Sequence, residues 1–226
     1  MQSLQHTAGS QASTAGIQTV SQGSTTELLD SPTGWANGTT NATGVTIEQA
    51  TDTQTNRATV DTLAPVESSG TFTQMALLGG RFSVGDCQST TVSTTITGQI
   101  NGVAQAGKES PTEVAIRYGM GPREKIRNAL MSLEDGSAFE AVATERTFQK
   151  LHVTDSTLRV VSDPMEVTLS GSVSCETTQV AYVRLVVSGT VDATNTVGID
   201  FGPGDPTLST ATTGLTLDSV SLSVEN

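Results

Sequence analysis

Two histidines and two cysteines carry the side chains best suited to chemistry near neutral pH. His6 lies in a polar N-terminal stretch, and His152 alternates with Leu151 and Val153 in a strand-like run. A nucleophile needs a base within hydrogen-bond reach and a third group that orients the base. Neither cysteine has a histidine near it in sequence, and the HExxH, GxSxG and P-loop patterns do not occur. We therefore expect no catalytic residue and no enzymatic activity.

Four aspartates near the end of the chain offer hard oxygen ligands to a cation. They are Asp192, Asp200, Asp205 and Asp218. Asp205 lies in the turn sequence GPGDP, where an aspartate commonly hydrogen-bonds its own backbone. Asp200 and Asp218 are the candidates for a metal site, but structural roles are favoured, so we expect no metal and no cofactor.

The remaining candidate site residues are two cysteines and one tryptophan. Cys87 and Cys175 each begin a strand-like run. They pair in a disulfide if those strands abut, or they remain two buried thiols, and the sequence does not distinguish the two states. Trp35 either exposes its ring to a ligand or anchors the core, and anchoring is the commoner role in a chain with 4% aromatic residues. The sequons at Asn37 and Asn41 indicate a loop rich in Thr and Asn.

Short alternating runs of Val, Ile and Thr, separated by turn residues, predict the elements that position these side chains. A shift in the alternation near Arg184 predicts a bulge. The strands are predicted at 44–49, 57–63, 72–78, 91–100, 113–118, 148–153, 157–161, 165–173, 179–191, 196–201 and 215–224.

One helix is predicted over 122–133, with Pro122 at its first position and Gly136 beyond its end. Ile126, Leu130 and Leu133 form its apolar stripe, and we expect it to cover one end of the strands. Many short strands with one helix indicate an all-β fold, a two-sheet antiparallel sandwich or jelly roll. We predict a single domain over 28–226, preceded by an extended polar arm over 1–27.

The charge of −12 excludes the classes of protein that need clustered basic residues. Binding to nucleic acid or to an anionic membrane surface is disfavoured, and no apolar run approaches the length of a membrane helix. Three lysines stand against eight arginines and 23 carboxylates, and Thr is the commonest residue. Concentrated salt screens such a charge excess and strengthens burial of small apolar side chains. The composition therefore favours a protein that works in brine.

The N-terminal arm indicates where the protein works. Residues 1–24 are polar, small and nearly uncharged, so they cannot fold alone, and we expect a neighbouring subunit to hold them. The N-terminus lacks a basic start and an apolar stretch, so we expect no signal peptide. A protein that looks extracellular but has no export signal suits a virus particle released by lysis.

Three segments of the second half carry a family resemblance. The runs RTFQKLHVTDSTLRVV (146–161), VAYVRLVVSGTV (180–191) and GLTLDSVSLSVEN (214–226) resemble the galactose-binding-like jelly rolls of carbohydrate-binding modules, and LLDSPTGWANGTTNATGVTIEQ (28–49) resembles their usual start. The resemblance implies a sugar-binding scaffold. Leu217 stands where the family has the first of two acidic residues, which leaves Asp218 alone and argues against the family's calcium. Jelly-roll virion proteins of halophilic viruses are similar in size and composition.

The sequence thus predicts a virion structural protein of a halophilic, archaeal virus, located on the particle surface or in its shell. A decoration, turret or spike component is favoured over a jelly-roll capsid subunit. The expected partners are further copies of the chain and other virion proteins. The alternative is a carbohydrate-binding module for host surface glycans, with Trp35 as its candidate ligand contact.

Overall fold

The computed structural model of the chain describes residues 18–20, 27–28, 32–85, 90–107, 110–133, 139, 143–154, 157–174, 177–194, 196–201 and 214–225. Strands dominate, as predicted, and they form two sheets joined by a shared apolar core. The elements are β1 Gln18–Val20, β2 Glu27–Leu28, β3 Pro32–Thr40, β4 Thr46–Asp52, β5 Arg57–Ala64, β6 Gly70–Val84, β7 Thr90–Ala106, β8 Thr112–Pro122, α1 Arg123–Met131, β9 Thr144–Val153, β10 Arg159–Val173, β11 Gln179–Val191, β12 Val197–Phe201 and β13 Gly214–Glu225.

Sheet 1 has the order β1-β6-β11-β8-β9, with β3 beside β1 on the same edge of β6. Its pairings are antiparallel except for β1, which runs parallel to the end of β6. Sheet 2 has the order β10-β7-β12-β5-β13-β2, with β4 on the free side of β5. Strand β13 also pairs with β7 along most of its length. The predicted all-β, two-sheet antiparallel sandwich with one short helix is confirmed.

The period of two along the strands builds the core between the sheets. In β7, even-numbered residues such as Val92, Ile96 and Ile100 are buried, while their neighbours are partly exposed. In β11 the odd-numbered residues, among them Val183 and Leu185, meet them from sheet 1. Because both sheets present branched apolar side chains at this spacing, the sandwich needs few aromatic residues.

Helix α1 lies on the outer face of sheet 1, not over one end of the sandwich as predicted. Its buried residues Ile126, Ala129 and Leu130 pack on Leu77 and Val180 in a second, smaller core. The helix is also shorter than the predicted 122–133. Pro122 has an extended conformation as the N-cap and last residue of β8, because its fixed φ suits both roles.

The bulge predicted near Arg184 is wrong, because β11 keeps one register against β6 and β8 through that residue. Apolar residues occur at both parities in β11 since both of its faces are buried, one by sheet 2 and one by α1. The register shifts that do occur lie between Leu217 and Ser219 in β13, and between Ile116 and Arg117 in β8.

Two further predictions are corrected by the strand pairing. The two strands predicted at 157–161 and 165–173 are one strand, β10, which begins at Arg159 and continues through Pro164. An edge strand tolerates proline because one side of its backbone has no partner strand. Asn37 lies in β3 and not in a loop, because β3 pairs with β6 over nine residues.

No helix in the described ranges has the length and apolarity needed to cross a membrane.

Candidate functional site

The outer face of sheet 1 holds a buried charged network. Arg184 of β11 donates from Nε to Oε1 of Glu145 at 2.6 Å and from Nη2 to Oε2 at 2.8 Å. Both side chains are 1% exposed. The Arg117 guanidinium reaches the same carboxylate at 3.4 Å, and the Arg184 guanidinium lies 3.8 Å from the ring centroid of Phe139. A buried ion pair requires such additional partners because desolvation is costly.

Tyr182 completes this network from the neighbouring outward position on β11. Its hydroxyl donates to Oε1 of Glu145 at 2.9 Å, and its side chain is fully buried. Burial, and then the charge of Glu145, raises the pKa of Tyr182 well above its usual value. Gly119 of β8 leaves room for the phenol, because a Cβ at that position would lie 2.7 Å from the Tyr182 hydroxyl oxygen. The network is closed and satisfied, which suits a structural role.

An open groove of about 430 Å³ lies at one end of sheet 1. We call it the hydroxyl groove because six of its eleven lining residues are Thr or Ser. The ends of β6, β8, β9 and β11 meet there, since Thr73 pairs with Ser188 and Glu113 pairs with His152. Its lining consists of Thr71, Phe72, Thr73, Pro111, Thr112, Glu113, His152, Thr154, Ser188, Gly189 and Thr190.

Glu113 is the charged centre of the hydroxyl groove. Its Oε2 lies 2.8 Å from Nζ of Lys150 and 3.7 Å from Nδ1 of His152. The His152 side chain is 65% exposed. Glu113 is therefore an acceptor held in place by a lysine at the wall of a groove whose other polar groups are mostly hydroxyls.

A second cavity, of about 420 Å³, lies at the opposite end of sheet 1. We call it the basic cavity. It is lined by Arg81, Pro122, Arg123, Glu124, Lys125, Thr177 and Thr178. Thr73 and Arg81 are eight residues apart on one strand, so roughly 27 Å of sheet separates the two cavities at ~3.4 Å per residue.

Trp35 lies beside the basic cavity. It is on β3, where it pairs with Leu77, and its half-buried ring packs on the small core beneath α1. The Arg123 guanidinium lies 5.2 Å from the centroid of the Trp35 ring. The ring is thus part of a packed surface, with one cation against it.

The candidate metal ligands are not brought together in the described part of the chain. Asp218 is exposed on β13, at the register shift that follows Leu217. The backbone of Asp200 pairs with Asp61 and Val103, and its side chain lies outside the described residues. Within the described ranges, no three His, Cys, Asp or Glu side chains form a group that could hold a metal ion.

Several sequence predictions fall outside the described residues. Cys87, Cys175, His6 and Asp205 all lie there, so the disulfide prediction stays a prediction. Of the predicted arm over 1–27, only the β1 residues and Glu27 are described. Strand β1 pairs with β6, and β2 pairs with β13.

The sequence analysis missed the charged network and both cavities. One signal for the network was present, because a single arginine inside the apolar run AYVRLVV needs a buried acceptor if both faces of the strand are covered. Glu145 is 39 residues away in sequence, and nothing local identifies it as the acceptor.

Comparisons with known proteins place the chain in no family. No family model matches it, and no curated protein matches it. Among solved structures, it is similar to the carbohydrate-binding module TmCBM61 in complex with β-1,4-galactotriose. The two share 10% identity and a TM-score of 0.23, over 84% of this chain and 88% of that one.

Two further solved structures show a similar level of likeness. A structure of promiscuous carbohydrate-binding modules from the β-sandwich superfamily shares 12% identity over 80% of this chain and 56% of that one, with a TM-score of 0.24. The enzymatically active domain of tailspike protein 4 of bacteriophage CBA120 shares 11% identity over 73% of this chain and 18% of that one, with a TM-score of 0.23. The β-sandwich assignment rests on the strand pairing of the chain itself.

Proposed function

We propose that this chain is a non-enzymatic binding protein that takes a glycan in the hydroxyl groove. The observation that carries the proposal is the lining of that groove, in which six hydroxyl-bearing residues and Glu113 lie beside the exposed Pro111. A sugar presents hydroxyl groups that both donate and accept hydrogen bonds, together with apolar C–H faces. A groove lined by hydroxyls, one carboxylate and one exposed proline ring matches that chemistry.

The arrangement of the groove supports binding rather than catalysis. His152 and Glu113 lie near each other at 3.7 Å, but in the described part of the chain His152 has no hydrogen bond to a serine or threonine hydroxyl. A hydroxyl nucleophile requires such a base to remove its proton. The buried acid Glu145 is enclosed by two arginines and Tyr182 and does not line the groove.

The test is a glycan array followed by calorimetric titration of the best neutral oligosaccharides, with β-1,4-galactotriose included. We expect Glu113→Gln to weaken binding about tenfold, because a charged acceptor is replaced by a weaker one. Ser188→Leu, which fills the groove, should abolish binding. Glu166→Gln, at an exposed position on β10, is the matched control and should bind like the wild type.

Two results would overturn this proposal. One is an array without any bound neutral glycan. The other is a bound glycan whose affinity is unchanged in both groove variants, while circular dichroism shows that each variant is folded.

A second candidate function is a structural component on the surface of a halophilic virus particle, built from copies of this chain. The acidic composition with three lysines supports work in brine. Strand β10 supports self-association, because it pairs in the described ranges with β7 alone. At its beginning, Leu158 is 45% and Val160 is 69% exposed. An open strand edge with exposed apolar residues is a surface on which a second strand pairs.

Native mass spectrometry and light scattering in concentrated salt test this second candidate. We expect an oligomer for the wild type and a monomer for Val160→Lys, because a lysine at an open strand edge opposes pairing. Thr168→Lys, at an exposed position farther along β10, controls for charge alone. A wild-type monomer at every salt concentration would contradict the candidate.

A further inference from the structure

The basic cavity concentrates positive charge in an acidic protein. Three of the eleven cationic side chains of the chain line it, namely Arg81, Arg123 and Lys125, against one carboxylate, Glu124. That carboxylate contacts the Arg123 guanidinium and also lies 3.7 Å from Nη1 of Arg127. The cavity therefore carries a local excess of two positive charges, whereas the whole chain has a net charge of −12.

Two guanidinium groups in this cavity have donors without acceptors. The Nε atoms of Arg81 and Arg123 are buried, and neither has a hydrogen-bond partner. A buried N–H without a partner is unfavourable, so a small shift of either guanidinium towards a ligand oxygen in the cavity would remove that cost. Arg81 comes from β6 and Arg123 from the start of α1, so the two donors are fixed by separate elements of the fold.

The N-terminus of α1 adds to the positive potential of the basic cavity. No side chain caps the helix, and the Arg123 amide donates to the Thr178 carbonyl at 2.9 Å. The amides that follow remain at the positive end of the helix dipole, which favours an anion. The N-terminus of α1, the two arginines and Lys125 therefore all contribute positive electrostatic potential to the basic cavity.

We propose that the basic cavity binds an organic oxyanion, in which a carboxylate, sulfate or phosphate group is carried on a small molecule or on an acidic sugar. Guanidinium groups pair well with such oxyanions because their planar donors match two oxygens at once. A volume of about 420 Å³ lies in the range of small-molecule sites and is far larger than one ion. The organic carrier of the oxyanion would fill the remaining space against Pro122 and the side-chain stems.

Trp35 provides a direct readout of this site. It is the single tryptophan of the chain, and its ring lies 5.2 Å from the Arg123 guanidinium. A ligand that engages Arg123 changes the electric field at the indole ring and therefore its fluorescence. The hydroxyl groove is at the far end of sheet 1, so a neutral sugar bound there should leave this signal unchanged.

The experiment titrates the full chain at constant ionic strength with sodium sulfate, sodium phosphate, glucuronate and digalacturonate, with chloride as the reference. Trp35 fluorescence and calorimetry are followed together. We expect saturable binding of at least one oxyanion, weakened about tenfold or more by Arg81→Met, because a charged donor is lost. Equal affinity for glucuronate and digalacturonate assigns the site to a small organic ligand, and preference for digalacturonate assigns it to an acidic glycan, whereas saturation by inorganic sulfate or phosphate alone would contradict an organic ligand.

Matched variants separate a specific site from general screening. Lys125→Glu changes an exposed side chain at the cavity and should weaken binding, whereas Arg146→Glu, the same charge reversal at an exposed position on β9 outside the lining, should not. This pair keeps the test decisive if Arg81→Met does not fold. Glu113→Gln, in the hydroxyl groove, should leave oxyanion binding intact.

Three results would overturn the proposal. The first is a linear response that is equal for all anions, including chloride. The second is an affinity of Arg81→Met within about twofold of the wild type in a folded protein, which is less than one charge-assisted bond is worth. The third is an equal effect of Lys125→Glu and Arg146→Glu on oxyanion binding.

Discussion

Arg184 and Glu145 form a two-pronged ion pair on the outer face of sheet 1, with contacts of 2.6 Å and 2.8 Å between side chains that are each 1% exposed. The two residues come from β11 and β9, which are separated by β8. The pair therefore reaches across a strand and ties the edge of the sheet to its centre.

Glu145→Gln should destabilise the fold by about 3–5 kcal/mol, because it leaves Arg184 buried without its counter-ion and removes one charged contact of Arg117. Arg184→Met should cost less, since Glu145 keeps Arg117 and Tyr182 as partners. Urea unfolding measures both. Glu166→Gln, exposed on β10, should remain within about 0.5 kcal/mol of the wild type. Equal stability of Glu145→Gln and the wild type would contradict the buried-pair account.

The raised pKa of Tyr182 predicts a loss of stability in alkali. The folded state holds the phenolic proton above the pH at which an unfolded tyrosine releases it, near pH 10. The contribution of Tyr182 to the free energy of unfolding is fully present below about pH 10. Above that pH the contribution falls by up to about 1.4 kcal/mol per pH unit, until the pH reaches the folded-state pKa.

Tyr182→Phe tests this contribution. The variant should be less stable at pH 8 by about 1–3 kcal/mol, because it loses a hydrogen bond to a carboxylate. The difference from the wild type should shrink between pH 10 and 11.5 in urea unfolding. A difference that stays constant over this range would show that Tyr182 ionises alike in both states.

Gly119→Ala should destabilise the protein by about 1–3 kcal/mol through overpacking. The new Cβ would lie 2.7 Å from the Tyr182 hydroxyl oxygen and 2.9 Å from the Thr144 carbonyl oxygen. Gly198→Ala on β12 is the matched control, because its Cβ would meet nothing within 4 Å. Thermal unfolding should separate the two variants clearly, and equal melting temperatures would contradict the packing at Gly119.

Asn37 holds the end of α1 against β3. Its Nδ2 donates to the Met131 carbonyl at 2.7 Å and to the Leu130 carbonyl at 3.3 Å. Asn37→Ala should cost about 1 kcal/mol, the value of a typical hydrogen bond. Asn37→Asp should cost more, because a carboxylate cannot donate and is repelled by the negative end of the helix.

Thr39→Ala, at an exposed position of the same strand, serves as the control for Asn37 in urea unfolding. The order of stability should be Thr39→Ala, then Asn37→Ala, then Asn37→Asp. An Asn37→Asp variant as stable as the wild type would show that the amide does not support the helix end.

The sequence by itself determined the class of fold and most of the longer strands, although it did not predict β3. Alternation in runs such as Arg57–Ala64 and Gly214–Glu225 predicted elements within one residue of their observed bounds, because a half-exposed strand repeats apolar and polar residues at every second position. The helix was equally visible, since Ile126 and Leu130 follow the helical period. These signals are local, so no knowledge of neighbouring elements was needed.

Only the tertiary structure decided where charge is buried and where the surface is open. Taken alone, the shift in the apolar–polar alternation at Arg184 indicated a bulge. The position of α1 shows instead that β11 is buried on both faces. Glu145, the hydroxyl groove and the basic cavity each depend on residues far apart in sequence that pairing brings together. Burial and the geometry of a ligand site arise from such non-local contacts, and the periodic pattern of a single segment does not specify which distant residues it contacts.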